Sequence, residues 1–459
     1  MSKRLFNISD LFNLTGAEIF NPDAYKPSSS FVIDSRKVKP GGIFVAIKGK
    51  HFDGHNFVSE AVKKGAAAVV INENKLSEFD DVDATIVAVK DTVLAFGELA
   101  RIKREKLNYK VVAITGSNGK TTTKDFTSVI LSERFKVHST TANNNNHIGL
   151  PLTISEAKLS DEVLVVELGT NHFGEIKYIA EIAQPDVALI TNIGQAHLKF
   201  LKDKKSVLNE KKTLADVTEK RNGKILLNSD DKLLKGLVGK YSRVQTFGFK
   251  GTPDIKGEVA DIDANGFPKI KISSSRKNLE FRLNLQGEAQ IANVLSSVAI
   301  AITLGLTKKE ILAGLSKLKP TPGRFEVINL NGFTLINDTY NSNPESVVAG
   351  IKSIKRIKSR KNKIVILGDI FELGERAEEI HRELGKKINR LKPDEVLSIG
   401  KMMKFTDEEL KVKHKHFRNI TSLFAYLKKK DLNDSVVFVK GSRGMKMERV
   451  VEFLMEKEK

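Results

Sequence analysis

Residues 111–123 read VVAITGSNGKTTT, and this stretch decides the fold. Val111 to Thr115 form a β-branched run suited to a buried strand. Gly116-Ser117-Asn118-Gly119 is a tight turn. Lys120-Thr121-Thr122 open a helical pattern that continues through Asp125, Phe126, Val129 and Ile130. A strand, a glycine turn and a helix N-terminus make a phosphate cradle. Backbone N–H groups meet the anion, Lys120 brings a cation, and Thr121 offers a hydroxyl to Mg²⁺. Gly116, Ser117, Asn118, Gly119, Lys120, Thr121 and Thr122 are therefore the expected nucleotide contacts. Ile114 stands where the first glycine of the usual eight-residue loop belongs, so an ordinary NTPase reading does not fit without change.

Composition bounds the rest. A chain of 459 residues is too long for one core, and about three domains are expected. No apolar run is long enough to span a membrane, and the start, MSKRLFNISD, lacks the apolar centre of a signal peptide. There are 0 cysteines, which excludes disulfides, zinc thiolate sites and cysteine nucleophiles. A cytoplasmic enzyme is the expectation. The net charge of +20 admits three readings: a lysine-rich solvated surface, a cleft for anionic substrates, or nucleic-acid binding. The lysines are scattered beside acids, and no aromatic residues interleave with them as a stacking platform. Nucleic acid is therefore not expected as a partner.

Three α/β units are expected: a small mixed N-terminal domain over 1–88, a central doubly wound phosphate-loop sheet over 89–319, and a C-terminal Rossmann-like unit over 320–459. In the first, 31–36, 43–47 and 67–71 read as strands, and 57–64 reads as a helix closed by Gly65. A helix near 91–106 leads into the phosphate loop. In the second, strand and helix alternate, with strands at 163–167, 187–191 and 224–228. Continuous apolar runs of this kind suit buried parallel strands. A helix over 289–303 ends at Gly305, and Lys319-Pro320-Thr321-Pro322-Gly323 reads as a linker. In the third, strands are expected at 334–338, 363–367, 395–399 and 436–439.

Open α/β sheets bind ligands at the carboxyl ends of their strands. There the chain offers Glu167, a candidate Mg²⁺ ligand or else a helix cap or surface acid. The next strand leads to His197, a candidate for a metal or phosphate contact or else a structural histidine.

Together these segments resemble the Mur ligases of peptidoglycan synthesis, nearly end to end. The front carries Asp34-Ser35-Arg36, Pro40-Gly41 and Asp53-Gly54-His55. The centre carries the phosphate loop, Asn145-Asn146-His147-Ile148-Gly149-Leu150-Pro151 and Glu167-Leu168-Gly169. The back carries Pro322-Gly323-Arg324, Asp338-Thr339-Tyr340-Asn341-Ser342-Asn343-Pro344, Leu367-Gly368-Asp369 with Glu372-Leu373-Gly374, and Lys440-Gly441-Ser442-Arg443-Gly444-Met445. The last two are the most specific to the branch that adds D-alanyl-D-alanine. The short loop containing Ile114 is the family's own variant.

The resemblance implies ATP-driven amide formation through an acyl phosphate, joining D-alanyl-D-alanine to UDP-N-acetylmuramoyl-tripeptide. Lys120, His197, Lys211 and Arg324 would be catalytic. Asn293, Arg324 and Asp338 would join the phosphate loop around ATP. Thr121, Glu167, His197 and Lys211, the last as a carbamate, would hold Mg²⁺. Lys211 lies fourteen residues past His197, the spacing implied for this branch, and neighbouring Lys212 is the competing assignment. Without the resemblance, Lys211 reads as one more solvated lysine. Ser35, Arg36, Asp53, Asn145, Asn146, Tyr340, Asn341 and Asn343 would meet substrate. A monomer is expected, with closure of the third unit over ATP.

Two departures from the family pattern stand out. Its Gly-x-His-Asn-x-x-Asn stretch is here Gly287 to Asn293, with Ala289 and Gln290 in place of the histidine and first asparagine. His147 stands where an acid is usual. The rival readings are a sister ligase adding a different amino acid, a nucleic-acid-stimulated ATPase, and a non-catalytic nucleotide-binding regulator.

Overall fold

Three sheets organise the chain in a computed structural model that describes residues 4–194 and 198–457. The first runs Glu18–Phe20, Thr85–Val89, Ala68–Asn72, Ile43–Val45, Phe31–Val32. Only Glu18–Phe20 is antiparallel to its neighbour. The strand expected over 31–36 stops at Val32. The Asp34 carboxylate accepts from Arg36 N and starts a 3₁₀ turn, Ser35–Lys37, because a short acidic side chain offers the backbone a local partner.

Helix Thr92–Lys106 is capped by Asp91, which accepts from Val93 N and Leu94 N. Its Phe96, Leu99 and Ala100 belong to a continuous core with Phe31, Val70 and Val87 of the first sheet. Leu150, Leu164 and Ile179 of the central unit share that core. The helix thus cements the first unit to the second.

The central sheet has nine strands. From one edge they run Val137–Ser139, Val163–Glu167, Lys110–Thr115, Val187–Ile190, Lys224–Asn228, Val244–Gly248, Ile255–Ile262, Pro268–Ser274, Asn278–Arg282. Pairing is parallel as far as Ile255–Ile262 and antiparallel beyond. The expected alternation of strand and helix therefore fails over 244–282, where four strands follow one another. The cause is legible in the chain: Ile255–Ile262 and Pro268–Ser274 alternate buried with exposed residues, the pattern of a one-sided antiparallel ribbon. Asn265-Gly266, with Gly266 at φ +90°, makes the turn between them. Their buried face packs on helix Glu288–Thr303 through Ile255, Ile270, Ile272, Leu279 and Leu295.

The third sheet runs Glu326–Asn329, Phe333–Asp338, Ser435–Lys440, Asn362–Gly368, Glu395–Ile399, His414–Phe417, with only the first antiparallel. It meets the central unit at several places. One is the ligand cavity described below. Another is a continuous apolar core in which Ile190, Val207 and Ile225 join Ile336, Val347 and Ile351. A third is the turn of the ribbon, where Ala264 O accepts from Lys358 N at 2.8 Å and Ser359 N at 2.9 Å. Among the described residues no helix is long and apolar enough to cross a membrane.

Candidate active site

Strand Lys110–Thr115 lies between Val163–Glu167 and Val187–Ile190, so the three carboxyl ends converge. Ile114 is a fully buried strand residue, and the turn begins only at Gly116. That accounts for the missing glycine. Gly116 has φ +149°, and an added Cβ there would overlap the Thr191 side chain. At Gly119, φ +81°, a Cβ would overlap the Asn293 amide. Neither position tolerates a side chain. The end of the neighbouring strand braces the loop. Thr191 Oγ1 donates to Asn118 O at 2.6 Å, Asn118 N donates to Asn192 Oδ1 at 3.0 Å, and Gly194 N donates to Ser117 Oγ at 2.8 Å. Lys120 folds back, donating from Nζ to Gly116 O at 2.9 Å.

Glu167 is not a surface acid: it is 3% exposed. Its Oε2 accepts from Thr121 Oγ1 at 2.7 Å and its Oε1 from Asn145 Nδ2 at 2.9 Å. The pair Thr121–Glu167 supplies hard oxygen donors beside a phosphate cradle. Mg²⁺ suits such a site, because it takes few protein ligands and keeps water and phosphate oxygens for the rest. Among the described residues no cluster of three or more His, Asp or Glu could hold a metal alone. His197 lies outside the described residues.

Lys211 overturns the solvated-lysine reading. It is fully buried in helix Lys204–Lys220, and its Nζ has no hydrogen-bond partner among the described residues. Burial pushes its pKa well below the usual lysine value. The charge of Lys120 lowers it further, while Glu210 and Glu167 oppose. Burial likewise lowers the Lys120 pKa, with Glu167 opposing and Arg324 adding to the fall. Lys212, in contrast, is partly exposed and paired with Asp216 at 2.8 Å. Glu210 is 2% exposed and accepts from Gly174 N and Ile176 N at 2.8 Å each, tying the Lys211 helix to the loop after Glu167.

From across the linker, Arg324 Nη2 donates to Thr121 Oγ1 at 2.9 Å, and its guanidinium carbon lies 3.9 Å from the centre of the Tyr340 ring. Tyr340 OH donates to Asn143 Oδ1, and Asn343 Nδ2 donates to Asn118 Oδ1 at 2.6 Å. Asn343 also caps helix Pro344–Lys355. Asp338 is engaged on both oxygens, by Lys440 Nζ at 2.7 Å and Phe325 N at 3.1 Å. Asn341 O accepts from Lys440 Nζ at 2.8 Å. Asn293 Oδ1 accepts from Thr123 Oγ1 at 3.3 Å, so this residue backs the phosphate loop.

These groups wall a cavity of about 730 Å³, shared by the central and third units. Gly119, Lys120, Thr121, Thr122, Asn145, Asn146, Glu167, Asn293, Arg324, Asp338, Tyr340, Asn341 and Asn343 all line it. Ser35, Arg36 and Asp53 do not. Ser35 donates to Glu60, Arg36 is mostly exposed and paired with Asp34, and Asp53 caps a turn and bonds His55 at 2.6 Å. Asn146 Oδ1 accepts from Ile148 N and Gly149 N, holding the start of helix Gly149–Glu156. Sequence reasoning gave no role to Asn143 or Lys440. Lys440 was visible as the head of the Lys-Gly-Ser-Arg segment, whereas Asn143 sits in a polar run that marks nothing by itself.

The cavity lining holds the cations Lys120, Arg324, Lys440 and Arg443 among the carboxylates Glu167, Glu175, Asp338, Glu345 and Glu372, so positive charge is placed at particular points, with Lys120 and Arg324 beside the phosphate loop. Fold and site together define a phosphate-loop enzyme that uses ATP in a cavity closed by a second α/β unit. Three family models match consecutive stretches: the Mur ligase family catalytic domain over 29–104, the Mur ligase middle domain over 114–301, and the Mur ligase glutamate ligase domain over 323–443. The chain belongs to the Mur ligase family, ATP-dependent enzymes that form amide bonds.

The UDP-N-acetylmuramoyl-tripeptide–D-alanyl-D-alanine ligase of Bacillus subtilis is 32% identical over 433 residues, covering 92% of each chain. MurF from Acinetobacter baumannii superposes with a TM-score of 0.85 at 28% identity, over 98% of this chain and 99% of that one. MurF from Thermotoga maritima, solved in complex with ADP, gives 0.81 at 31% identity, over 93% and 97%.

Proposed function

We propose that this enzyme joins D-alanyl-D-alanine to UDP-N-acetylmuramoyl-tripeptide. The observation that carries the reading is the meeting of Arg324 with Thr121 beside Lys120 in one two-unit cavity. Relatives of this name match the chain over nearly its whole length.

The tripeptide carboxylate attacks the γ-phosphorus, ADP leaves, and an acyl phosphate results. The dipeptide amine then attacks the acyl carbon, phosphate leaves and the nitrogen loses its proton. The first step brings two anions together, so its barrier falls where cations are fixed in advance. Lys120 and Arg324 do this from opposite sides. Thr121 and Glu167 would hold Mg²⁺, which when bound neutralises charge on the phosphates. Asn145 orients Glu167. Asn293 keeps the loop in shape.

Lys211 is assigned as a carbamate. The neutral amine adds CO₂, forms an N–C bond and releases a proton, which turns a cation into a carboxylate-like anion. Burial, the unpartnered Nζ and the lowered pKa all favour the neutral amine this needs. His197 joins the same metal site in this reading. Asp338 is the ribose acid, and Tyr340, Asn341 and Asn343 face the incoming substrate. The UDP moiety binds at residues 1–88, with Ser35, Arg36 and Asp53 as its contacts. Residues 89–319 and 320–459 form the ATP-binding and closing units, and the chain acts as a cytoplasmic monomer.

The test is phosphate release with UDP-N-acetylmuramoyl-tripeptide, comparing D-alanyl-D-alanine with single amino acids as the amine. A strong preference for the dipeptide is expected. Preference for a single amino acid would make this a sister ligase instead.

A further inference from the structure

Arg324 leaves the linker and must aim its guanidinium back at the phosphate loop, so something has to fix its backbone. Gln290, in the first turn of helix Glu288–Thr303, is 2% exposed and donates from Nε2 to Arg324 O at 2.7 Å. The amide orientation follows from the partner: with the groups exchanged, two carbonyl oxygens would face each other. The next residue, Phe325, holds φ +53°, a left-handed conformation that a non-glycine residue adopts only under constraint. Its N–H donates to Asp338 Oδ1 at 3.1 Å. Gly287, at φ +101°, lies against the same ring, where a Cβ would come within 2.9 Å. Arg324 and Phe325 are therefore gripped by the helix of the central unit on one side and by the end of strand Phe333–Asp338 on the other. The guanidinium is left pointing at Thr121.

We infer that Gln290 is a positioning residue for Arg324. Its single donated bond sets where the arginine backbone stands, and so whether the guanidinium reaches the Thr121 hydroxyl. The departure at position 290 thus serves the linker. The inference rests on the ligase reading of the cavity.

The experiment compares wild type, Q290M, Q290E, R324A and the two double variants by phosphate release, with thermal midpoints to verify folding. Methionine keeps length and volume without the donor. Glutamate removes the donor but stays polar, so one of the two reports even if the other does not fold. The expected result is a roughly 10- to 100-fold fall in kcat in either single variant, a guide from the cost of misplacing a reacting group. The KM for ATP should change less than about 3-fold, because the phosphate-loop contacts are untouched. In the R324A background either substitution should change kcat less than about 2-fold. A neutral effect at position 290, or a full effect persisting without Arg324, overturns the inference. Wild type inactive on the UDP-tripeptide would instead overturn the ligase reading.

Discussion

Arg324 donates to the Thr121 hydroxyl at 2.9 Å, and this bond joins the third unit to the start of the phosphate-loop helix at the point where Thr121 also meets Glu167. In the proposed mechanism the guanidinium meets the charge that develops on the γ-phosphate. R324A is expected to lower kcat by about 10²- to 10³-fold, the usual cost of losing one preorganised donor. R324K should recover little of it, since an ammonium cannot both donate in a plane and stack on Tyr340. Phosphate release at saturating substrates measures both.

Removal of the Lys211 amine tests the carbamate directly. K211A is expected to lose nearly all activity and regain part of it with added formate or acetate, which can occupy the vacated space as an anion. K211R should lose activity without rescue. Unimpaired turnover in K211A would remove Lys211 from the mechanism. The neighbouring K212A should behave as wild type, because Lys212 pairs outward with Asp216.

Glu167 accepts two hydrogen bonds while nearly buried, so a neutral amide in its place keeps the shape and loses the charge. E167Q is expected to raise the Mg²⁺ concentration needed for half-maximal activity by ten-fold or more, of the order seen when a ligand's environment is disturbed. Titration of activity against Mg²⁺ gives the value. An unchanged midpoint would place the metal elsewhere.

Lys103 supplies a pH signature of folding. The residue is 3% exposed and its ammonium donates to Ser155 O and Ala157 O at 2.8 Å each, with burial lowering its pKa to about 8 from 10.5. Below pH 8 folded and unfolded chains both hold the proton. Between pH 8 and 10.5 the unfolded chain holds it and the folded chain does not, so stability rises with pH across that window. Relative to K103M, wild type should gain up to about 3 kcal/mol over that range, read from urea unfolding midpoints. A flat difference would mean that the side chain stays charged at high pH.

Much of the architecture could be read from short apolar runs. Val163–Glu167, Lys224–Asn228 and Glu395–Ile399 fall where short apolar runs put them, because strands buried on both faces carry no competing pattern. The ribbon over 255–282 was missed because its residues alternate, and alternation speaks only when paired with its Asn265-Gly266 turn. In the site, the phosphate loop is local and therefore legible. Lys211 and Lys212 differ by one step along a helix, about 100° of rotation, and only packing says which one turns inward. Ser35 and Arg36 read as pocket residues from motif alone, yet their partners here are Glu60 and Asp34 of the same unit. The link from Gln290 to Arg324 depends on a backbone oxygen that no side-chain motif reports.

The cavity draws its walls from two sheets, with Arg324, Tyr340 and Asn343 facing Lys120 and Glu167. A ligand lodged there is in contact with both at once, so it belongs to the cooperative folding unit of each. The two are already coupled through the core that joins Ile190, Val207 and Ile225 to Ile336, Val347 and Ile351. Filled with nucleotide, the binding energy is forfeited whichever sheet opens first, so ligand should raise the unfolding temperature of both together as its concentration increases.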